Sequence, residues 1–134
     1  MFRVHDETEI MSLRAQLTAA VSALDLRSCL PSAAERLVVE GDQIERLGRA
    51  IKTLAATRVA ETGIWQKGGA RSAEDWLADT TGTSKGDAAD TLDTGKKLKD
   101  LPATAAALRK GKLSSKQAKA VTDAATADPS SERD

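Results

Sequence analysis

The chain has 134 residues, 40% of them apolar, with 20 lysines and arginines against 20 aspartates and glutamates. That length suffices for one core but not for two independent ones. The zero net charge leaves no whole-chain argument for nucleic acid, a membrane surface or an acidic substrate, so any such argument must be local.

Alanine and leucine dominate the apolar content, and Phe2, Trp65 and Trp76 are the only aromatics, a composition that favours helices and starves strands. Cys29 is the only cysteine, which excludes an internal disulfide and a cysteine-based zinc site and fits a reducing, cytoplasmic setting. The start of the chain is too acidic and interrupted for a signal peptide, and no apolar run approaches membrane-spanning length.

Ile10, Leu13, Leu17, Val21 and Leu24 recur at steps of three and four, predicting an amphipathic helix over about residues 6–26. Pro31 separates it from the next helix. There Ser32 and Glu35 have capping-box spacing, and Leu37, Ile44, Leu47, Ile51 and Leu54 carry a stripe up to Gly63. At 1.5 Å per residue this helix reaches about 48 Å, more than one small domain needs. Part of its stripe is therefore expected to face the first helix or another copy of the chain, with Ile44, Leu47, Ile51 and Leu54 as the candidate self-association residues.

Gly63, Gly68 and Gly69 read as a flexible hinge over residues 64–71, after which the helices become short. Ser72 with Asp75, and Ser84 with Asp87, repeat the capping spacing, and Gly82 closes the first of these helices. Pro102 opens the next and Gly111 ends it; Ser114 opens the last, which carries Ala118 and Val121 and weakens before Pro129. The prediction is an all-α chain: long N-terminal amphipathic helices, then short helices with helix-turn-helix-like corners. Its expected divisions are a helical hairpin over 1–63, the hinge over 64–71, the short-helix region over 72–127 and a tail over 128–134, where the domain is expected to be cut short.

Residues 72–92 have the layout of a helix-turn-helix, whose second helix would present Ser84, Lys85, Gly86, Ala89, Asp90 and Asp93 to base edges. Asp90 and Asp93 repel phosphate, and Ala88 and Thr91 stand where a bulkier aliphatic usually wedges such helices together. An architectural corner is the better reading. Between Thr81 and Ala120 lie nine basic residues, Lys85, Lys96, Lys97, Lys99, Arg109, Lys110, Lys112, Lys116 and Lys119, against four acidic ones, Asp87, Asp90, Asp93 and Asp100. This block could neutralise phosphates without reading sequence, although solvated helix ends would account for it equally well.

For catalysis the inventory is nearly empty. His5 has no histidine or cysteine partner; Glu40, Asp42 and Glu45 form a solvated acidic face rather than a metal site; and Cys29 reads as a small apolar group. Neither a catalytic residue nor a cofactor or metal is expected.

The order Arg71, Ser72, Glu74, Asp75, Trp76, Leu77, then Thr81, Gly82, Ser84, Ala88, Leu92, Lys97, Leu98, Leu101, Pro102, and finally Gly111, Lys112, Leu113, Ser114, Gln117 and Ala118 resembles the 13E12 repeat family, the actinobacterial domain of unknown function number 222. The resemblance covers roughly residues 32–128. It implies a DNA-linked parent protein of the kind that often continues into an HNH-type nuclease domain, and it carries over no catalytic residue. The expected function is a non-catalytic helical module that contacts DNA phosphates without sequence preference; the alternative is a dimerisation or protein-interaction module acting through the long helix.

Overall fold

A computed structural model of the protein describes residues 5–127, and every regular element there is helical. The helices are α1 (His5–Ser22), α2 (Pro31–Thr62), α3 (Ala73–Thr81), α4 (Lys85–Leu98), α5 (Pro102–Arg109) and α6 (Ser115–Ala127), with a 3₁₀ turn at Ile64–Gly68. The expected tail over 128–134 lies outside the described residues. The chain divides into two compact units, Met1–Val38 and Val39–Asp134, so the boundary falls inside α2 rather than at the glycine segment.

In the first unit α1 ends at Ser22, earlier than its apolar repeat predicts, and residues 23–29 form turns. The Asp25 carboxylate accepts the Arg27 N–H there (3.1 Å). None of residues 6–38 is buried, and Cys29 is half-buried with its thiol 3.5 Å from the Leu30 carbonyl. Ser32 does not cap α2. The helix already begins at Pro31, whose fixed φ and missing N–H suit a first helical position, and the Ala34 N–H bonds the Leu30 carbonyl (3.0 Å).

The second unit is organised by serine caps. Ser72 Oγ accepts the Asp75 N–H (3.0 Å) and Ser84 Oγ the Asp87 N–H (3.0 Å). At α6 the box is reciprocal: Ser114 Oγ accepts the Gln117 N–H (3.1 Å) while Gln117 Oε1 accepts the Ser114 N–H (2.9 Å). Gly82 and Gly111 close α3 and α5 in the left-handed region, with φ of 71° and 72°. The glycine segment after α2 is a defined 3₁₀ turn rather than a slack hinge, flanked by left-handed Gly63 and Gly69.

The core of this unit is built from small residues. One cluster joins Ala50, Leu98, Leu108 and Ala118, and a second joins Ala56, Leu77 and Ala88, flanked by Trp76 and Leu92. The second cluster forms the α3–α4 corner, with Ala88 itself in the wedge position. Thr53, Thr94, Thr104 and Thr122 are buried among them. Small side chains let helix backbones approach closely, most of all at Gly95 of α4, where a Cβ would stand 1.9 Å from Thr57 Oγ1 and 3.1 Å from the Thr53 carbonyl of α2. Val121 of α6 faces outward; Ala118, Thr122 and Ala125 hold the buried face instead.

Candidate functional site

The nine basic residues differ in how they are partnered. Four are held by carboxylates. Lys85 Nζ reaches Asp75 (3.4 Å) and Lys99 reaches Glu61 of α2. Lys97 Nζ donates to Asp123 (2.6 Å) and lies 2.9 Å from Asp93, and Lys119 Nζ donates to the other Asp123 oxygen (2.8 Å).

The charge shifts follow from these bonds. Hydrogen bonds from Lys119 and then Lys97 lower the Asp123 carboxyl from its ordinary 3.8 to about 2, against a smaller opposing effect of desolvation. The hydrogen bonds to Asp123 hold both lysines above their ordinary range, Lys97 gaining further from Asp93. Glu61 is lowered chiefly by its hydrogen bond from Lys99.

The remaining five, Lys96, Arg109, Lys110, Lys112 and Lys116, are exposed and without an ion pair among the described residues. Arg109 shares a groove with Arg58, Glu61, Gly95 and Lys99. Lys110 and Lys112 flank Gly111 in the α5–α6 turn, and Lys116 lies in the first turn of α6. Two arginines of α2 that the local sequence does not reveal lie near this second group, Arg46 paired with a carboxylate and Arg49 without an ion pair among the described residues. Arg46 of α2 donates from Nη1 to the Lys112 carbonyl (3.1 Å) while its Nε bonds Asp42 (3.0 Å). Arg49, one turn further along, lines a groove of about 390 Å³ with Thr53, Asp87, Asp90, Lys116 and Lys119.

Gly111 makes this corner. A Cβ on it would meet Gln43 Oε1 at 3.2 Å and Leu47 Cδ2 at 3.4 Å, so its backbone lies close against α2. Only i, i+3 spacing marks Arg46 and Arg49 as a pair in the sequence; their neighbours are about sixty residues away along the chain.

The start of α4 has little free for a base edge. The Ser84 hydroxyl is spent on its cap, Lys85 faces Asp75 and Asp93 faces Lys97. Among the self-association candidates, Ile44, Leu47 and Ile51 stay exposed, whereas Leu54 is half-buried in the groove with Leu98, Ala105 and Arg109. Among the described residues no cluster of three or more histidine, cysteine or acidic side chains could hold a metal ion, and no helix is long and apolar enough to cross a membrane.

Fold and surface together define an all-α module whose serine-capped corners carry a cationic turn against a long helix. The chain belongs to the family described as "Domain of unknown function (DUF222)", whose model matches residues 33–133. No curated protein and no solved structure matches it.

Proposed function

We propose that the chain is a non-catalytic helical module of a DNA-associated protein that contacts the phosphate backbone without reading sequence. The observation that carries this reading is the α5–α6 corner, where Lys110, Lys112 and Lys116 are exposed and without an ion pair, and Arg49 of α2 shares a groove with Lys116. Cations already matched to carboxylates gain little from a phosphate, because the pair must be broken first; unpaired ones release counterions from DNA directly. The resemblance to 13E12 repeat proteins, with their frequent HNH nuclease partner, supports a DNA setting, in which this module would position chemistry carried elsewhere.

Fluorescence anisotropy on a generic duplex at several salt concentrations tests the reading. With about three phosphates neutralised, log K should fall against log salt with a slope of about −3, from a dissociation constant on the order of 10⁻⁴ to 10⁻⁶ M. Lys110→Glu with Lys112→Glu and Lys116→Glu should abolish binding, whereas Lys85→Gln, which removes a paired cation, should leave the slope unchanged. Binding that is absent or indifferent to salt overturns the reading, and equal loss in both variants removes the corner from it.

A second reading, self-association through α2, is favoured by the exposure of Ile44, Leu47 and Ile51, at 40, 42 and 45%. Ile51→Glu should then halve the mass in light scattering.

A further inference from the structure

A threonine in a helix readily returns its hydroxyl to the backbone, and Thr57, Thr81, Thr91 and Thr126 each donate to the carbonyl four residues earlier. Thr53 of α2 and Thr94 of α4 do not. They are only 8 and 6% exposed, both line the groove of about 390 Å³, and neither hydroxyl has a hydrogen-bond partner among the described residues. Four charged side chains on the same groove are unpaired as well: Asp87 and Asp90 from α4, Arg49 from α2 and Lys116 from α6. We infer that this groove binds a small zwitterion of the amino-acid or short-peptide class, its carboxylate on Arg49 and Lys116 and its ammonium on Asp87 and Asp90.

Close by, the same helices match their charges. Asp93, one turn beyond Asp90 on α4, takes Lys97, and Lys119, one turn beyond Lys116 on α6, takes Asp123. Around the groove both signs are present, yet none of the four forms an ion pair with another, so the open volume keeps them apart. A ligand of one sign would gain from two of these groups and be repelled by the other two. A ligand carrying both signs gains from all four.

Size and chemistry agree. The volume stands at the lower end of the range of about 300–1,000 Å³ in which small-molecule sites fall, and buried Leu108 and Ala118 give the lining an apolar part. Arg49 is half-buried, and its planar guanidinium matches a carboxylate with two parallel N–H groups. The hydroxyls of Thr53 and Thr94 can each donate and accept, which suits the amide of a dipeptide. The inference does not rest on the DNA reading. Arg49 and Lys116 would serve a phosphate too, but Asp87 and Asp90 suit only a ligand with a cationic group.

Amide NMR titration of the full chain with alanyl-alanine tests the site, with the N-acetylated and the C-amidated dipeptides as probes that each lack one charge. The free dipeptide should bind with a dissociation constant on the order of 1 mM and shift amides over residues 87–94 and 115–119. Each blocked form should bind about tenfold more weakly, the loss of one charged hydrogen bond. Asp90→Asn should weaken the free dipeptide about tenfold and leave the acetylated one unchanged, whereas Arg49→Gln should weaken the free dipeptide equally and leave the amide unchanged. Such crossed effects do not arise from misfolding. Asp90→Asn also removes a charge that repels phosphate and so should not weaken duplex binding, which keeps the two ligands distinguishable. No shift at about 100 mM dipeptide, a hundredfold excess over that constant, overturns the inference. So does equal binding by either blocked form, or a set of shifts that lies away from the groove.

Discussion

Gly95 gives the sharpest test of how the second unit is built. In an exposed helix Gly→Ala stabilises by up to about 1 kcal/mol, because alanine loses less backbone entropy. At Gly95 the added Cβ would lie 1.9 Å from Thr57 Oγ1, 3.3 Å from Thr57 Cβ and 3.1 Å from the Thr53 carbonyl. The hydroxyl can rotate away only by giving up its 2.8 Å hydrogen bond to that carbonyl, worth about 1 kcal/mol. The carbonyl is backbone and cannot rotate at all, so α2 and α4 must part by a few tenths of an ångström, and overpacking of this kind costs about 1–3 kcal/mol. The net expectation for Gly95→Ala is a loss of about 2 kcal/mol, roughly 6–10 °C in Tm for a chain of this size. Gly86→Ala, in the same helix but meeting only Ser84 Oγ at 3.8 Å, should be neutral or stabilising. Thermal and urea melts followed by circular dichroism at 222 nm give both signs. In a Thr57→Ala background the cost of Gly95→Ala should fall by about 1 kcal/mol, because the nearest obstacle is gone. If Gly95→Ala stabilises as Gly86→Ala does, the close approach of α2 and α4 is refuted.

Three further outcomes follow from the same geometry. Gly111→Ala should cost more than Gly82→Ala by urea melt: both incur about 1–2 kcal/mol for a left-handed alanine, but only Gly111 also crowds Gln43 and Leu47. Ser84→Ala and Ser114→Ala should each lose about 1 kcal/mol in the same assay, whereas Ser32→Ala should lose nearly nothing because Pro31 already opens α2. Asp123 should titrate near 2 by carboxyl NMR and move up toward 3.8 in Lys119→Gln. Its folded value is depressed, so the stabilisation it gives is fully present above about 4 and fades as pH falls toward 2. A midpoint near 3.8 in the unmodified chain would refute the Lys97–Asp123–Lys119 bridge.

What the sequence made legible is what depends on neighbours within a turn. Ser72, Ser84 and Ser114 were readable as caps because hydroxyl and amide lie three residues apart, and Pro102, Gly82 and Gly111 because their backbone preferences are intrinsic. Ser32 shows the limit: its spacing to Glu35 is correct, but a proline one residue earlier competes for the helix start and prevails. The long stripe of α2 misleads in a different way. Large aliphatics at 44, 47 and 51 attract attention, yet the residues of α2 that are buried are Ala50, Thr53 and Ala56. Where backbones must approach as closely as they do at Gly95, bulk is excluded, so the packing face carries the weakest hydrophobic signal on the helix.

The same distance problem governs charge. A count over residues 81–120 treats all nine cations as equivalent, but Glu61, Asp75, Asp93 and Asp123 neutralise four of them, and two of those carboxylates lie outside that window on the N-terminal side. Arg49 comes from further still and joins Lys116, while Arg46 arrives already paired with Asp42 and braces the Lys112 carbonyl. A patch read from composition is therefore both too large, by its paired members, and too small, by the Arg49 that α2 delivers. Gly111 links the two errors, because it brings the α5–α6 turn against α2. If the chain contacts phosphates as proposed, Gly111→Ala should for that reason weaken the salt-dependent binding as well as stability, through displacement of the α5–α6 turn from α2. Unchanged affinity in a folded Gly111→Ala chain would show that the lysines act without α2.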